Sequence, residues 1–290
     1  MPVIEIQNLK KYFGKTRAVD GISIDVKESE IYGFLGPNGA GKSTTIRCMM
    51  DIIRPMEGNV TIFGKNSRRD SVELKKRIGY LPGGSRFKDN WTGRDHINFV
   101  RDLQKCDNNA DELITRLNFN ASLKARHLSL GNCQKLGIIL AFMSKPDLLI
   151  LDEPTLGLDP LFQNVVYELL SEANQRGATI FMSSHNLSDV ERICHRVGII
   201  KEGKMVADES ISTLKQKRLY RVWAHFTGKF DKNEFAIEGV QIKRFSTNYL
   251  ELDVKGDITP VIAKLGKYEL HDLQVEHASL KDIFMEFYEE

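Results

Sequence analysis

The chain has 290 residues, room for one large domain and a small second one. Its hydrophobic share of 41% supports a buried core, and 41 basic against 39 acidic side chains leave a formal charge of +2, without the basic excess of a dedicated nucleic-acid binder. The opening MPVIEIQNLKKYF lacks the apolar core of a signal peptide, and no stretch approaches the roughly 20 apolar residues of a membrane helix, so any membrane role has to come through a partner.

In chain order, residues 3–7 and 22–26 alternate apolar and polar side chains, the pattern of half-buried strands. Residues 31–35 are a mostly apolar run ending in a glycine-rich loop. A helix is predicted from Lys42 to about Ile53, closed by Pro55 and Gly58. Further strands are predicted at 60–63 and 77–81. From about 84 to 144 the apolar residues fall at spacings of three and four, a helical pattern. Residues 148–151 are an aliphatic run that suits a strand covered on both faces of a parallel sheet. A helix over 161–176 leads to a strand at 179–182, and residues 197–206 read as a hairpin turning at Glu202-Gly203. Beyond Leu214 a short basic linker (Lys215, Lys217, Arg218) precedes alternating runs at 220–226, 240–244 and 250–254. Thr259-Pro260 opens a helix that Gly266 closes, and Ser279 with Asp282 resembles a capping box before a last amphipathic helix. The predicted organisation is a large domain over 1–214, with a helical part at about 84–145, and a small α+β domain over 215–290. Cys48, Cys106, Cys133 and Cys194 form no CxxC pair and no metal-ligand spacing with histidine, so they read as reduced thiols.

Two short segments carry chemistry. GPNGAGKST comprises Gly36, Pro37, Asn38, Gly39, Ala40, Gly41, Lys42, Ser43 and Thr44, and lies between a predicted strand and a predicted helix. It fits G-x-x-x-x-G-K-[ST]. The glycines let successive N–H groups curl into an anion nest, and the helix points its positive end at the same place. In a nucleotide site of this kind Lys42 reaches the β- and γ-phosphates, and the Ser43 hydroxyl ligates Mg²⁺. In LLILDEP, Asp152 stands at the C-terminal end of a buried strand, where doubly wound sheets place ligands. It would hold Mg²⁺ through water, and Glu153 beside it would polarise an attacking water as general base. Read alone, the first segment is also a glycine-rich turn and the second an exposed acidic turn.

With these two motifs the chain resembles the ABC ATPase family, and further motifs follow in the family's order. LSLGNCQ stands where the family carries its LSGGQ signature: Ser129 and Gly131 match, Leu130 replaces a glycine and Asn132 a glutamine. LGLD, ending in Asp159, matches the D-loop, and His185 follows a strand as the family's switch histidine does, in contact with the γ-phosphate; otherwise it is a capped strand-end histidine. Phe13, or alternatively Tyr12, stands where the family stacks an aromatic on adenine. The resemblance spans about residues 3–210. One departure is Gly83, followed by Gly84, where the family has a glutamine. If that missing side chain limits hydrolysis, restoring glutamine should raise turnover. The ending SLKDIFMEFYEE is similar to that of the ABC-2 type drug exporters, and equally suits an ordinary amphipathic helix.

The resemblance implies an α/β fold: a P-loop, RecA-like core with a β subdomain and an inserted helical subdomain. It implies two subunits sandwiching ATP and Mg²⁺, each phosphate loop facing the partner's Ser129, Gly131 and Asn132. The second ATPase subunit is either the same chain or another. A membrane permease would be the further partner, holding the protein at the cytoplasmic face of the membrane, and an exporter is the favoured direction. The alternatives are a soluble ABC ATPase outside transport and a weakly catalytic regulatory half of a heterodimer.

Overall fold

A computed structural model describes residues 2–104, 109–216 and 219–277. The chain divides into two compact units between Glu209 and Ser210.

The first unit opens with an antiparallel hairpin, β1 (Pro2–Phe13) and β2 (Thr16–Lys27). β3 (Ile31–Leu35) leads through the glycine-rich loop into α1 (Lys42–Met49). β4 (Glu57–Ile62), β5 (Lys65–Asn66), α2 (Ser71–Lys75) and β6 (Ile78–Leu81) follow. Three helices come next: α3 (Gly93–Gln104), α4 (Ala110–Arg116) and α5 (Leu130–Phe142). The chain then alternates through β7 (Leu148–Asp152), α6 (Pro160–Gln175), β8 (Thr179–Ser184), α7 (Leu187–Ile193), β9 (Arg196–Lys201) and β10 (Lys204–Ser210).

These strands form two sheets. One has the order β2-β1-β4-β5; the other, of six strands, runs β10-β9-β3-β8-β7-β6. Within the second, β9, β3, β8, β7 and β6 are parallel neighbours. Every residue of β3, β7 and β8 is buried, as the aliphatic runs require. One apolar cluster joins both sheets through α1: Ile4, Ile6 and Ile24 from the first, Phe34, Ile150 and Phe181 from the second, with Ile46 and Met49 between them. Leu35 pairs with Ser184, Asp152 with Ser183 and Leu81 with Leu151. All four carboxyl ends therefore open on one edge, and the loops leaving them carry the motifs.

α1 stops four residues before the expected end. Asp51 turns left-handed (φ 50) and Ile52 N donates to the Arg47 carbonyl at 2.9 Å, closing the helix before Pro55 acts. The hairpin at Glu202-Gly203 forms as expected; both residues have positive φ, 50 and 79, which matches the twist of a two-residue turn.

The second unit contains α8 (Ile211–Gln216), β11 (Leu219–Phe226), β12 (Val240–Phe245), β13 (Tyr249–Lys255), α9 (Thr259–Leu265) and β14 (Leu270–His277). Its antiparallel sheet has the order β12-β13-β11-β14, and Phe235, Val261 and Leu265 cover Val222, Leu250 and Leu252. The expected final helix from Ser279 lies outside the described residues. Among the described residues no helix is long and apolar enough to cross a membrane. Cys48, Cys133 and Cys194 are free, and burial raises all three thiol pKa values, Cys48 to about 11, which leaves them poor nucleophiles. Cys106 lies outside the described residues.

Candidate functional site: a phosphate-loop cavity at the sheet edge

The loop after β3 is fixed by two close approaches. A Cβ on Gly36 would lie 2.4 Å from the Ile200 carbonyl, and one on Gly41 (φ 113) 2.3 Å from that of Ala18. Only glycine fits at either place. Gly36 N donates to Ser184 O, and the Ala40 carbonyl accepts from Gly203 N, so neighbouring strands tie the loop down. Pro37, Asn38, Gly39, Gly41, Lys42, Ser43 and Thr44 line a cavity of about 410 Å³, while Gly36 and Ala40 sit behind it.

Lys42 is 6% exposed. Its ammonium donates to the Gly36 carbonyl (2.6 Å) and the Pro37 carbonyl (3.2 Å), and lies 3.3 Å from Glu153 Oε1. A buried charge needs such partners, because desolvation alone would be prohibitive. Glu153 Oε2 lies 2.7 Å from His185 Nδ1. A carboxylate only accepts, so Nδ1 carries the proton in this contact and Nε2 is left for a second partner. Glu153 thus bridges the phosphate loop and the histidine after β8, on a backbone with φ 55. That left-handed conformation costs on the order of 1 kcal/mol for a residue other than glycine.

Asp152 is buried and accepts from Ser183 Oγ at 2.5 Å. Burial, with the charge of Asp152 adding to it, pushes the nearby Tyr80 hydroxyl up to about 12, so Tyr80 stays neutral. Gly83 stands against the same carboxylate: a Cβ there would meet Asp152 Oδ2 at 2.5 Å. A side chain at this point would have to displace the Asp152 carboxylate.

Asp152, Glu153 and His185 line the cavity with the phosphate loop; Ser129, Gly131, Asn132, Asp159 and Phe13 do not. Ser129 caps α5, its Oγ accepting from Asn132 N at 3.3 Å. Gly131 packs on the neighbouring loop, where a Cβ would meet the Gly157 carbonyl at 2.8 Å. Leu130 is 63% exposed and lies over Gly157. Asp159 caps α6 by accepting from Leu161 N and Phe162 N. Tyr12 donates to Asp20 Oδ1, whereas the Phe13 ring is half exposed.

Three residues that the motifs left unassigned hold the site. Asp189 on α7 is buried and accepts from Thr155 Oγ1 (2.7 Å), Tyr167 OH (2.6 Å), Ser184 Oγ (3.1 Å) and Asn186 Nδ2 (3.1 Å), tying the loop after β7 to the loop after β8. Ser183 and Gln134 grip the main chain of Glu153. The local hint for Gln134 is a lone amide entering the apolar run of α5.

The family model for ABC transporters matches residues 19–156. The bacitracin transport ATP-binding protein of Bacillus licheniformis is 39% identical over 221 residues, 74% of this chain and 72% of that protein. This chain belongs to the ABC transporter ATP-binding family. The Nod factor export ATP-binding protein I of Paraburkholderia xenovorans is 34% identical over 218 residues, covering 73% and 72%. A solved ATP-binding subunit of an ABC transporter superposes with a TM-score of 0.68 at 27% identity, over 73% of this chain and 92% of that one. The cassette is therefore an ATP-binding and ATP-hydrolysing transporter subunit on a P-loop α/β fold.

The Gly83 contact argues against a gain in turnover from glutamine at that position. Gly83→Gln in this cassette is expected to lower ATP turnover, by about tenfold, because the new side chain displaces Asp152. Phosphate release at or above the wild-type rate would contradict it.

Proposed function

We propose that this cassette hydrolyses ATP at the interface of two ATPase subunits and thereby drives an exporter whose membrane-spanning part is a separate permease. The observation that carries this reading is the division of the motif residues: Lys42, Asp152, Glu153 and His185 line one cavity, while Ser129, Gly131, Asn132 and Asp159 lie outside it. A second subunit supplies the missing set by turning its own Ser129–Asn132 face to the triphosphate.

In this reading the loop N–H groups and the amino end of α1 hold the phosphates. Lys42 turns from Glu153 to the β- and γ-phosphate oxygens. Glu153, released from that ion pair, accepts a hydrogen bond from water and takes its proton as the water oxygen attacks the γ-phosphorus and the bond to the ADP oxygen breaks. His185 steadies the carboxylate through Nδ1 and offers Nε2 to the γ-phosphate. Phe13 is the adenine platform, since Tyr12 is held by Asp20. The donor set fits magnesium: Ser43 and Asp152 offer hard oxygens on the cavity wall. Ser43 and Asp152 would hold Mg²⁺, which supplies charge neutralisation at the phosphates when bound.

Residues 1–214 form the motor in this reading and 215–290 an accessory domain. A groove beside the Gly83 loop, lined by Ile52, Phe87, Val100, Leu103 and Leu140, suits an apolar helix of the permease. That contact would hold the protein at the cytoplasmic face of the membrane. The export direction is supported by the name of the Nod factor relative.

Steady-state hydrolysis and nucleotide binding test the reading. Glu153→Gln should keep ATP affinity within about threefold and lose roughly 10²–10⁴ in turnover; wild-type turnover would remove Glu153 as the base. Lys42→Ala should weaken ATP binding roughly tenfold to a hundredfold, and unchanged affinity would refute the phosphate-loop assignment.

A further inference from the structure

The Glu153 carboxylate reaches Lys42 and His185 only because its backbone is left-handed, with φ 55. Two side chains hold that peptide from opposite sides. Ser183 Oγ, at the end of β8, accepts from Glu153 N at 3.0 Å and donates its own proton to Asp152 Oδ1 at 2.5 Å. Gln134 Nε2, on α5, donates to the Glu153 carbonyl at 2.9 Å and the Pro154 carbonyl at 3.0 Å. Both side chains are buried, Ser183 at 0% and Gln134 at 6% exposure. Water is therefore a poor substitute for either.

We propose that Ser183 and Gln134 are positioning residues for ATP hydrolysis. They hold the peptide of Glu153 in the one conformation that aims its carboxylate across the cavity, an inference that rests on the reading of Glu153 as general base. Without them the backbone relaxes toward negative φ and the Glu153 side chain swings away, while Lys42 keeps its bonds to the Gly36 and Pro37 carbonyls. The effect therefore falls on the chemical step and not on nucleotide binding. Gln134 also rides on the helix whose first turn is Ser129–Asn132. Whatever holds that turn is coupled, through one side-chain amide, to the base of the same chain.

The test uses the full chain with Gln134→Met, Ser183→Ala and both together, measured beside Glu153→Gln. Gln134→Met keeps length and removes the two donors; Ser183→Ala removes the hydroxyl. Each single variant should lose roughly tenfold to a hundredfold in kcat, with KM and the affinity for a fluorescent ATP analogue within about threefold of wild type. The double variant should lose less than the product of the two losses, since both act on one peptide. Ser183→Thr, which restores the hydroxyl, should recover most of the turnover lost in Ser183→Ala. A kcat within about twofold of wild type in either single variant, or ATP affinity falling in step with kcat in both, would overturn the proposal. If Glu153→Gln itself keeps wild-type turnover, the reading of the base fails instead, and with it the premise.

Discussion

A positive charge is held largely out of water on the wall of a cavity. The Lys42 ammonium and the amino end of α1 share one small space at the edge of the six-stranded sheet, and burial there is tolerable only because oxygens meet the charge from several sides. The loop must be glycine at 36 and 41 to bend closely enough for its carbonyls to do so. β3, β7 and β8 must end in register for Glu153 and His185 to arrive at the same place. A triphosphate suits this space because it brings the negative charge that Glu153 now supplies. In the proposed function, exchange of one anion for the other frees the carboxylate for chemistry, so binding and activation become one event.

The hydrogen bonds around Asp152, Ser183, Glu153, Gln134 and Asp189 serve a different need. They are nearly all between a buried side chain and either the main chain or a second buried side chain, and each donor has a named acceptor. Such networks rigidify when fully satisfied. They link the ends of β7 and β8 to α5 and α7, and so tie the main chain of Glu153 to the helix that Ser129 caps. Gly131 has a local reason to be glycine, its contact with the Gly157 carbonyl, in addition to any approach by a nucleotide. Leu130, a departure from the family pattern, leaves its side chain exposed over the same loop.

The catalytic motifs were legible because they are contiguous and their spacing follows from the phosphate geometry they serve. The aliphatic run at 148–151 announced a buried parallel strand for the same kind of reason: covered on both faces, it has no position that favours a polar side chain. The short α2 and α7 and the edge strand β14 were not expected. β14 alternates only over residues 273–276 and is exposed at most positions, and α7 is a single seven-residue helix whose buried acid, Asp189, looks like a surface residue in the sequence. At Gly83 the sequence shows that the family's glutamine is missing, but not that a Cβ there would meet the Asp152 carboxylate. Gln134 and Ser183 act on a peptide 19 and 30 residues away, and no spacing rule connects them to it.

The division of the motif residues between a cavity and a separate face underlies the proposal that a second subunit completes the site. Light scattering on the Glu153→Gln protein, with and without ATP and magnesium, tests that proposal directly. A monomer without nucleotide and a dimer with it is the expected result, and it would mean that Leu130 and Asn132 still support closure around ATP. A monomer under both conditions, with ATP binding verified, would contradict a site completed by a second copy of this chain.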